Sequence, residues 1–251
     1  MSERPVAPPA VMPALDVTLD AAVHLVQQVR NEKAAIVGLK VGSLLVAEHG
    51  LAKVRDVLDC GLPLILDMQK WCTDIPSIVR EQVKLAARNG IQAVIGAPLG
   101  AGSNPDPGSP GALEAFVDSC REHSITPIVV VEMTQPGANA FLRDGASEAL
   151  AMRLCELGVE MIVAPGNKPE RLVGYRRLFS ARGSEVRIVS PGVGPQSTGD
   201  AVADAAAAVK AGTDYVVVGR AVYTADDPAE MVRRIYARIR QAYANRKGME
   251  Q

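Results

Sequence analysis

Asp67, Lys70 and Asp74 stand at i, i+3 and i+7 in the stretch "LPLILDMQKWCTDIP", directly after the apolar run Leu62–Leu66. On a helix that spacing lines one face, and an exposed face with alternating charges gains a modest stabilisation from such pairs. Two features point elsewhere. The apolar run reads as a buried strand, so the charges arrive at its carboxyl end. Pro76 disfavours helical backbone at the preceding residue, which works against a helix running through Asp74 and Ile75.

A second group of residues has the chemistry of anion binding. In "SPGVGPQSTGD" the glycines Gly192, Gly194 and Gly199 let the backbone approach a ligand and turn its N–H groups inward. Gln196 adds a neutral donor. In "VVVGRAVY", Arg220 follows Gly219 and has the planar fork that pairs with a phosphate. A flexible turn and an arginine closing the end of the fold is the alternative for each element taken alone. The three histidines, His24, His49 and His123, fall on or beside helical patterns, where packing or solvation explains them better than catalysis. The four cysteines, Cys60, Cys72, Cys120 and Cys155, have no C-x-x-C and no Cys/His spacing that suits zinc, and read as reduced cytosolic thiols.

The elements that must position these residues alternate along the whole chain. Short apolar runs rich in Val and Ile occur at Val11–Leu15, Ala35–Val41, Leu62–Leu66, Ala93–Ile95, Pro127–Val131, Met161–Val163, Arg187–Val189 and Tyr215–Val218. Helical patterns lie between them at Asp20–Arg30, Leu44–Leu58, Ser77–Asn89, Ala112–His123, Ser147–Leu157, Pro169–Phe179, Asp200–Lys210 and Pro228–Ala244. Eight βα units in 251 residues give the pattern of a single-domain α/β protein, a (β/α)8 TIM barrel. An open doubly wound sheet would want G-x-G-x-x-G after its first strand, and "LDVTLD" is not one. The expected organisation is a disordered leader over 1–10, the barrel over 11–245 and a tail over 246–251. A formal net charge of −1 and the lack of a basic stripe argue against nucleic acid as a partner. No apolar stretch reaches membrane-spanning length, and the proline-rich start is no signal peptide. A soluble cytoplasmic protein is the expectation.

A barrel carries its active site at the carboxyl ends of its strands. The eight strand ends deliver, in order, Asp16, Lys40, Asp67 with Lys70, "GAPLG", Glu132 with Thr134, "APGNK", "SPGVGPQSTGD" and Gly219-Arg220. Barrels often bind phosphate with the loops after strands seven and eight. Both candidate phosphate elements fall there, which favours a small phosphorylated substrate.

Five motifs in order, Lys40 in "GLKVG", the D…K…DIP of "DMQKWCTDIP", "EMTQPGA", "SPGVGPQ" and "VGRAVY", together resemble orotidine 5′-phosphate decarboxylase, particularly its archaeal-type branch. The resemblance runs from about Leu15 to the last helix. It implies decarboxylation of orotidine 5′-phosphate to UMP without cofactor or metal. It implies a charged array of Lys40, Asp67, Lys70 and Asp74, with Lys70 as proton donor. It implies a homodimer in which Asp74 and Ile75 reach into the partner's site. Asp16 would hold the ribose and the array, Thr134 the pyrimidine edge, and Gln196 and Arg220 the phosphate, with Pro191, Gly192 and Gly219 beside them. The spacing D-x-x-K-x-x-x-D is two residues longer than the common family pattern, so the chain must bulge or coil after Asp67. A family branch with D-x-Q-K-x-x-x-D-I-P resembles it. Ile78 stands where a ribose-contacting Thr is expected, and "GAPLGAGSNPDPGSPG" reads as a mobile rim loop. The rival readings are a magnesium-dependent sugar-phosphate decarboxylase or aldolase of the same suprafamily, and a catalytically silent nucleotide-binding barrel.

Overall fold

The structure, a computed structural model, describes residues 6–68, 71, 73–98, 110–138, 140, 142–195 and 197–249. Its strands are β1 (Ala10–Pro13), β2 (Leu39–Gly42), β3 (Leu64–Asp67), β4 (Ala93–Gly96), β5 (Thr126–Val130), β6 (Met161–Val163), β7 (Arg187–Ser190) and β8 (Tyr215–Val218). Each pairs in parallel with its neighbour, from β2 round to β8 and on to β1. Isolated parallel bridges, Val11 with Ile36 and Ala14 with Lys40, join β1 to β2 and bring the sheet round on itself. The result is a (β/α)8 barrel.

Helices follow the strands: α1 (Leu19–Val29), α2 (Ser43–His49), α3 (Leu51–Val57), α4 (Pro76–Arg88), α5 (Ala112–Glu122), α6 (Ala146–Glu156), α7 (Pro169–Ala181), α8 (Ala201–Ala211), α9 (Arg220–Tyr223) and α10 (Pro228–Met249). Several elements differ from the sequence expectation: a short helix, α9, follows β8, and α10 runs to Met249, into the stretch expected as a tail. The single helix over Leu44–Leu58 is two, because Gly50 takes φ 78° and breaks it. The strand over Ala35–Val41 is regular only from Leu39, the earlier part touching β1 through the Ile36 bridge. β1 begins at Ala10, and the Val6 carbonyl already accepts a hydrogen bond from the Tyr215 hydroxyl at 2.9 Å. Among the described residues, no helix is long and apolar enough to cross a membrane.

Two apolar cores explain why the strands lack polar alternation: the sheet is covered on both faces. The larger core lies between sheet and helices, with Leu39, Val41, Leu64 and Leu66 facing it. The smaller fills the barrel, with Ala14, Ile65, Val130 and Val217 among its members. Strand side chains alternate with a period of two. Two steps beyond these interior residues stand Asp16, Asp67, Glu132 and Gly219, each aimed by its strand at the top of the barrel.

Candidate active site

Those strand ends surround a cavity of about 230 Å3 whose walls include Asp16, Lys40, Asp67, Glu132, Thr134 and Arg220. The Lys40 ammonium lies between two carboxylates, donating to Asp67 Oδ2 at 2.9 Å and Asp16 Oδ1 at 3.2 Å. Its side chain is 10% exposed, and Asp67's is 13% exposed. Burial alone pulls the Lys40 pKa down; the combined attraction of Asp67 and Asp16 outweighs it and raises the pKa above the ordinary value. Lys40 therefore stays charged throughout the neutral range. Gly42 makes this cluster possible, because a Cβ there would sit 2.7 Å from Asp16 Oδ1.

Asp67 uses only one oxygen on Lys40. Its Oδ1 is buried and has no hydrogen-bond partner among the described residues. Beyond it the chain turns at once: Trp71 N–H donates to the Met68 carbonyl at 2.8 Å, so the coil that the long spacing requires begins right after the strand. Lys70 lies outside the described residues. Ile75 is extended at ψ 150° and α4 starts at Pro76, so the charged stretch is not one helix face. Asp74 is exposed and accepts from the Ile75 N–H at 2.7 Å, and neither residue lines the cavity of its own chain.

Another wall is built from the loops after β7 and β8. Pro191, Gly192, Gly219 and Arg220 all line the cavity; Gln196 lies outside the described residues. The Arg220 guanidinium has no ion pair or hydrogen bond among the described residues, which leaves its fork available to a ligand. One expectation for this loop is corrected. The glycine N–H groups do not all turn inward: Gly194 N–H donates to Asp204 and Gly199 N–H to the Gly194 carbonyl. A carboxylate on α8 and a carbonyl of the loop itself take these two donors.

Glu132, noted at the rim of β5 but given no role from sequence, anchors the third wall. It is 2% exposed and accepts from Lys168 Nζ at 3.2 Å, Arg171 Nε at 2.6 Å and the Tyr175 hydroxyl at 2.9 Å. Burial and the Glu132 charge push the Tyr175 phenol well above its usual pKa, keeping it a donor. Lys168 also donates to the Met133 carbonyl at 3.1 Å, and Asn167 to the Thr134 carbonyl at 3.3 Å. The period-two alternation of β5 was the signal that could have found Glu132; nothing local marks its partners on α7.

Thr134 is pressed against Gly192. A Cβ on Gly192, which has φ 94°, would meet Thr134 Cγ2 at 2.8 Å and Asn167 Oδ1 at 3.1 Å. Gly192→Ala is expected to lower stability by at least about 1–2 kcal/mol from the left-handed backbone alone. Adding Thr134→Ser removes the clashing methyl and should recover part of the loss in thermal unfolding. Equal Tm values for the single and double variants would show that this contact is slack.

Comparison with known proteins agrees with this fold. The family model described as "Orotidine 5'-phosphate decarboxylase / HUMPS family" matches residues 9–235. The orotidine 5'-phosphate decarboxylase of Methanosarcina barkeri is 33% identical over 227 residues, covering 90% of this chain and 92% of that protein. The crystal structure of orotidine 5'-phosphate decarboxylase from Pyrococcus horikoshii superposes with a TM-score of 0.74 at 28% identity, over 92% of this chain and 99% of that one. That of orotidine 5'-monophosphate decarboxylase from Methanocaldococcus jannaschii, complexed with the inhibitor BMP, gives a TM-score of 0.75 at 27% identity, with the same coverage. A barrel with a buried Lys–Asp cluster at one rim and matched along nearly its whole length in sequence thus has its place: the chain belongs to the orotidine 5'-phosphate decarboxylase / HUMPS family.

Proposed function

We propose that this protein decarboxylates orotidine 5′-phosphate to UMP without metal or cofactor, and that it does so as a homodimer. The observation that carries this reading is the buried Lys40 ammonium clamped between Asp16 and Asp67 in the same cavity as Arg220, which pairs with none of the described residues. Curated relatives with the pyrimidine activity in their names, rather than the sugar-phosphate one, support the choice within the family.

Breaking the C6–carboxylate bond leaves an electron pair in an sp2 orbital that no ring carbonyl delocalises well. Preorganised charge is what a protein has to offer at that point. In this reading the Lys70 ammonium lies beside C6, stabilises the pair as carbon dioxide departs, and gives its proton to C6. Its amine then regains a proton from water. The Asp67 Oδ1 that has no described partner is a natural acceptor for that ammonium, because a buried carboxylate oxygen left unpaired is costly. Lys40 balances the carboxylates. Asp67 and Asp74 also face the substrate carboxylate; two like charges 4 Å apart repel by about 4 kcal/mol at an effective dielectric near 20, a stress relieved as neutral carbon dioxide forms. Stabilisation of the carbanion remains the larger contribution.

The remaining roles follow the walls of the cavity. Asp16 holds the ribose hydroxyls, Thr134 the pyrimidine edge, and Arg220 with Gln196 the phosphate, against Pro191, Gly192 and Gly219. Arg220→Ala removes a charge-assisted pair of about 1.5–3 kcal/mol, hence a fall of about 10- to 150-fold in kcat/KM. Phosphite dianion should restore part of the rate with a substrate lacking phosphate. Unchanged kinetics would remove Arg220 from the phosphate site.

The dimer reading rests on the rim around α4. Ile75 is 62% exposed and Ile78 43%, apolar side chains close to Asp74 in the chain that are open in a single protomer. Ile78, in place of a threonine, adds area there rather than a hydroxyl. The activity itself is tested by running the reaction in D2O and following it by NMR. UMP carrying one deuterium at C6 is the expected product; tight UMP binding with no turnover would instead indicate a silent nucleotide-binding barrel.

A further inference from the structure

The last turns of α10 are held by charge rather than by apolar burial. Val232, Ile235 and Ile239 are fully buried and seat the first part of the helix. From Arg240 to Gly248, Ala242 and Tyr243 are half-buried, and Arg246 is the one buried side chain. Arg246 donates to the Val209 carbonyl at 2.8 Å, the Thr213 carbonyl at 2.9 Å and Asp214 Oδ1 at 3.0 Å. Its guanidinium also lies 4.6 Å from the centre of the Tyr243 ring. A cation suits this place, because Val209 belongs to the carboxyl-terminal turn of α8.

Asp214 ties the same point to the rest of the barrel. It is 4% exposed and directly precedes β8. Its Oδ2 accepts the Ile188 N–H at 2.8 Å and an N–H of Arg176, which donates in turn to the Gly212 and Val186 carbonyls at 2.7 Å each. The Asp214 carbonyl accepts the Ala10 N–H at 3.2 Å, where β1 meets β8. One carboxylate at the amino-terminal end of the barrel thus joins β7, α7 and α10. The strand ends that carry the active site lie at the other end. Removing Arg246 leaves Asp214 paired with Arg176, so the tie to α10 can be cut without stranding a buried charge.

We propose that Arg240–Gly248 is a clasp: a segment that opens separately from the barrel and that the Arg246–Asp214 pair holds shut. Scant apolar burial makes an opening confined to this segment cheaper than unfolding the core. The clasp borders a cleft of about 1470 Å3 whose lining includes Tyr243, Lys247, Arg177 and Arg187. No residue of the segment lines the active-site cavity, so the inference is independent of the proposed function.

The test is limited trypsin digestion of the folded protein, with the cut after Arg240 followed by mass spectrometry. When opening is fast, this rate reports the population of the opened form. Arg246→Met should speed the cut by about 10- to 150-fold, the equivalent of a lost charge-assisted bond, and Arg246→Lys by less. Val189→Ala, in the fully buried barrel interior, is the control. It should lower Tm without speeding the cut, because the contact it weakens is still present when only the clasp opens. If Arg246→Met does not fold, Arg246→Lys and the control decide. A cut that Arg246 substitution leaves unchanged overturns the inference. So does a cut that Val189→Ala accelerates as much as Arg246 substitution does, since cleavage then passes through unfolding of the whole barrel.

Discussion

Lys70→Ala is expected to lower kcat by at least about 10^4-fold, while UMP still binds. Two effects combine at this one side chain. A positioned general acid contributes about 10^2–10^4, and one donor aimed at developing charge contributes about 10^2–10^3. Both vanish with the ammonium. Affinity for UMP should be largely retained, because the cavity walls formed by Asp16, Thr134 and Arg220 are untouched. Steady-state kinetics and a UMP titration on the same preparation separate the two quantities. Near-wild-type turnover would mean that the turn closed by Trp71 and Met68 presents a different residue to C6, and that another lysine supplies the proton.

The second large effect is a recovery of activity. Lys70→Ala and Asp74→Ala should each be nearly dead. Asp74 is exposed in its own chain and engages only its neighbouring Ile75 N–H among the described residues. If it completes the partner's site, a mixed dimer of the two variants gathers both lesions in one site and leaves the other intact. Statistical exchange of equal amounts gives roughly half mixed dimers, and so about a quarter of full activity. Verified exchange with no recovery would place Asp74 within its own site and end the shared-site reading.

Much of the fold was legible because the sheet is covered on both faces. That makes most strands short, largely apolar runs, so Leu62–Leu66 and Tyr215–Val218 stand out from the helices around them. Turns that hinge on one residue are harder to read, and a lone Gly50 within an otherwise helical pattern does not announce the break it makes. In the site, Lys40, Asp67, Asp16 and Arg220 were found because barrel geometry sends strand ends to one rim. The contacts that organise them join residues far apart in the chain: the grouping of Lys40 with Asp67 and Asp16 came only from the family resemblance, and the Glu132 network from neither sequence pattern nor resemblance. Lys40 and Asp67 are 27 positions apart, and Glu132 and Tyr175 43. Gly194 illustrates the limit: its place in a glycine-rich motif implied a donor for the ligand, but Asp204, ten positions on, takes that donor. A motif gives residue types; only packing decides which way an N–H points.

The most direct test is the ultraviolet absorbance of orotidine 5′-phosphate, followed with purified protein in EDTA and again after magnesium is restored. Complete conversion to UMP at the same rate in both conditions is the expected result. Conversion only with magnesium, or no conversion at all, would contradict a metal-free decarboxylase driven by the Lys40–Asp67–Lys70–Asp74 array.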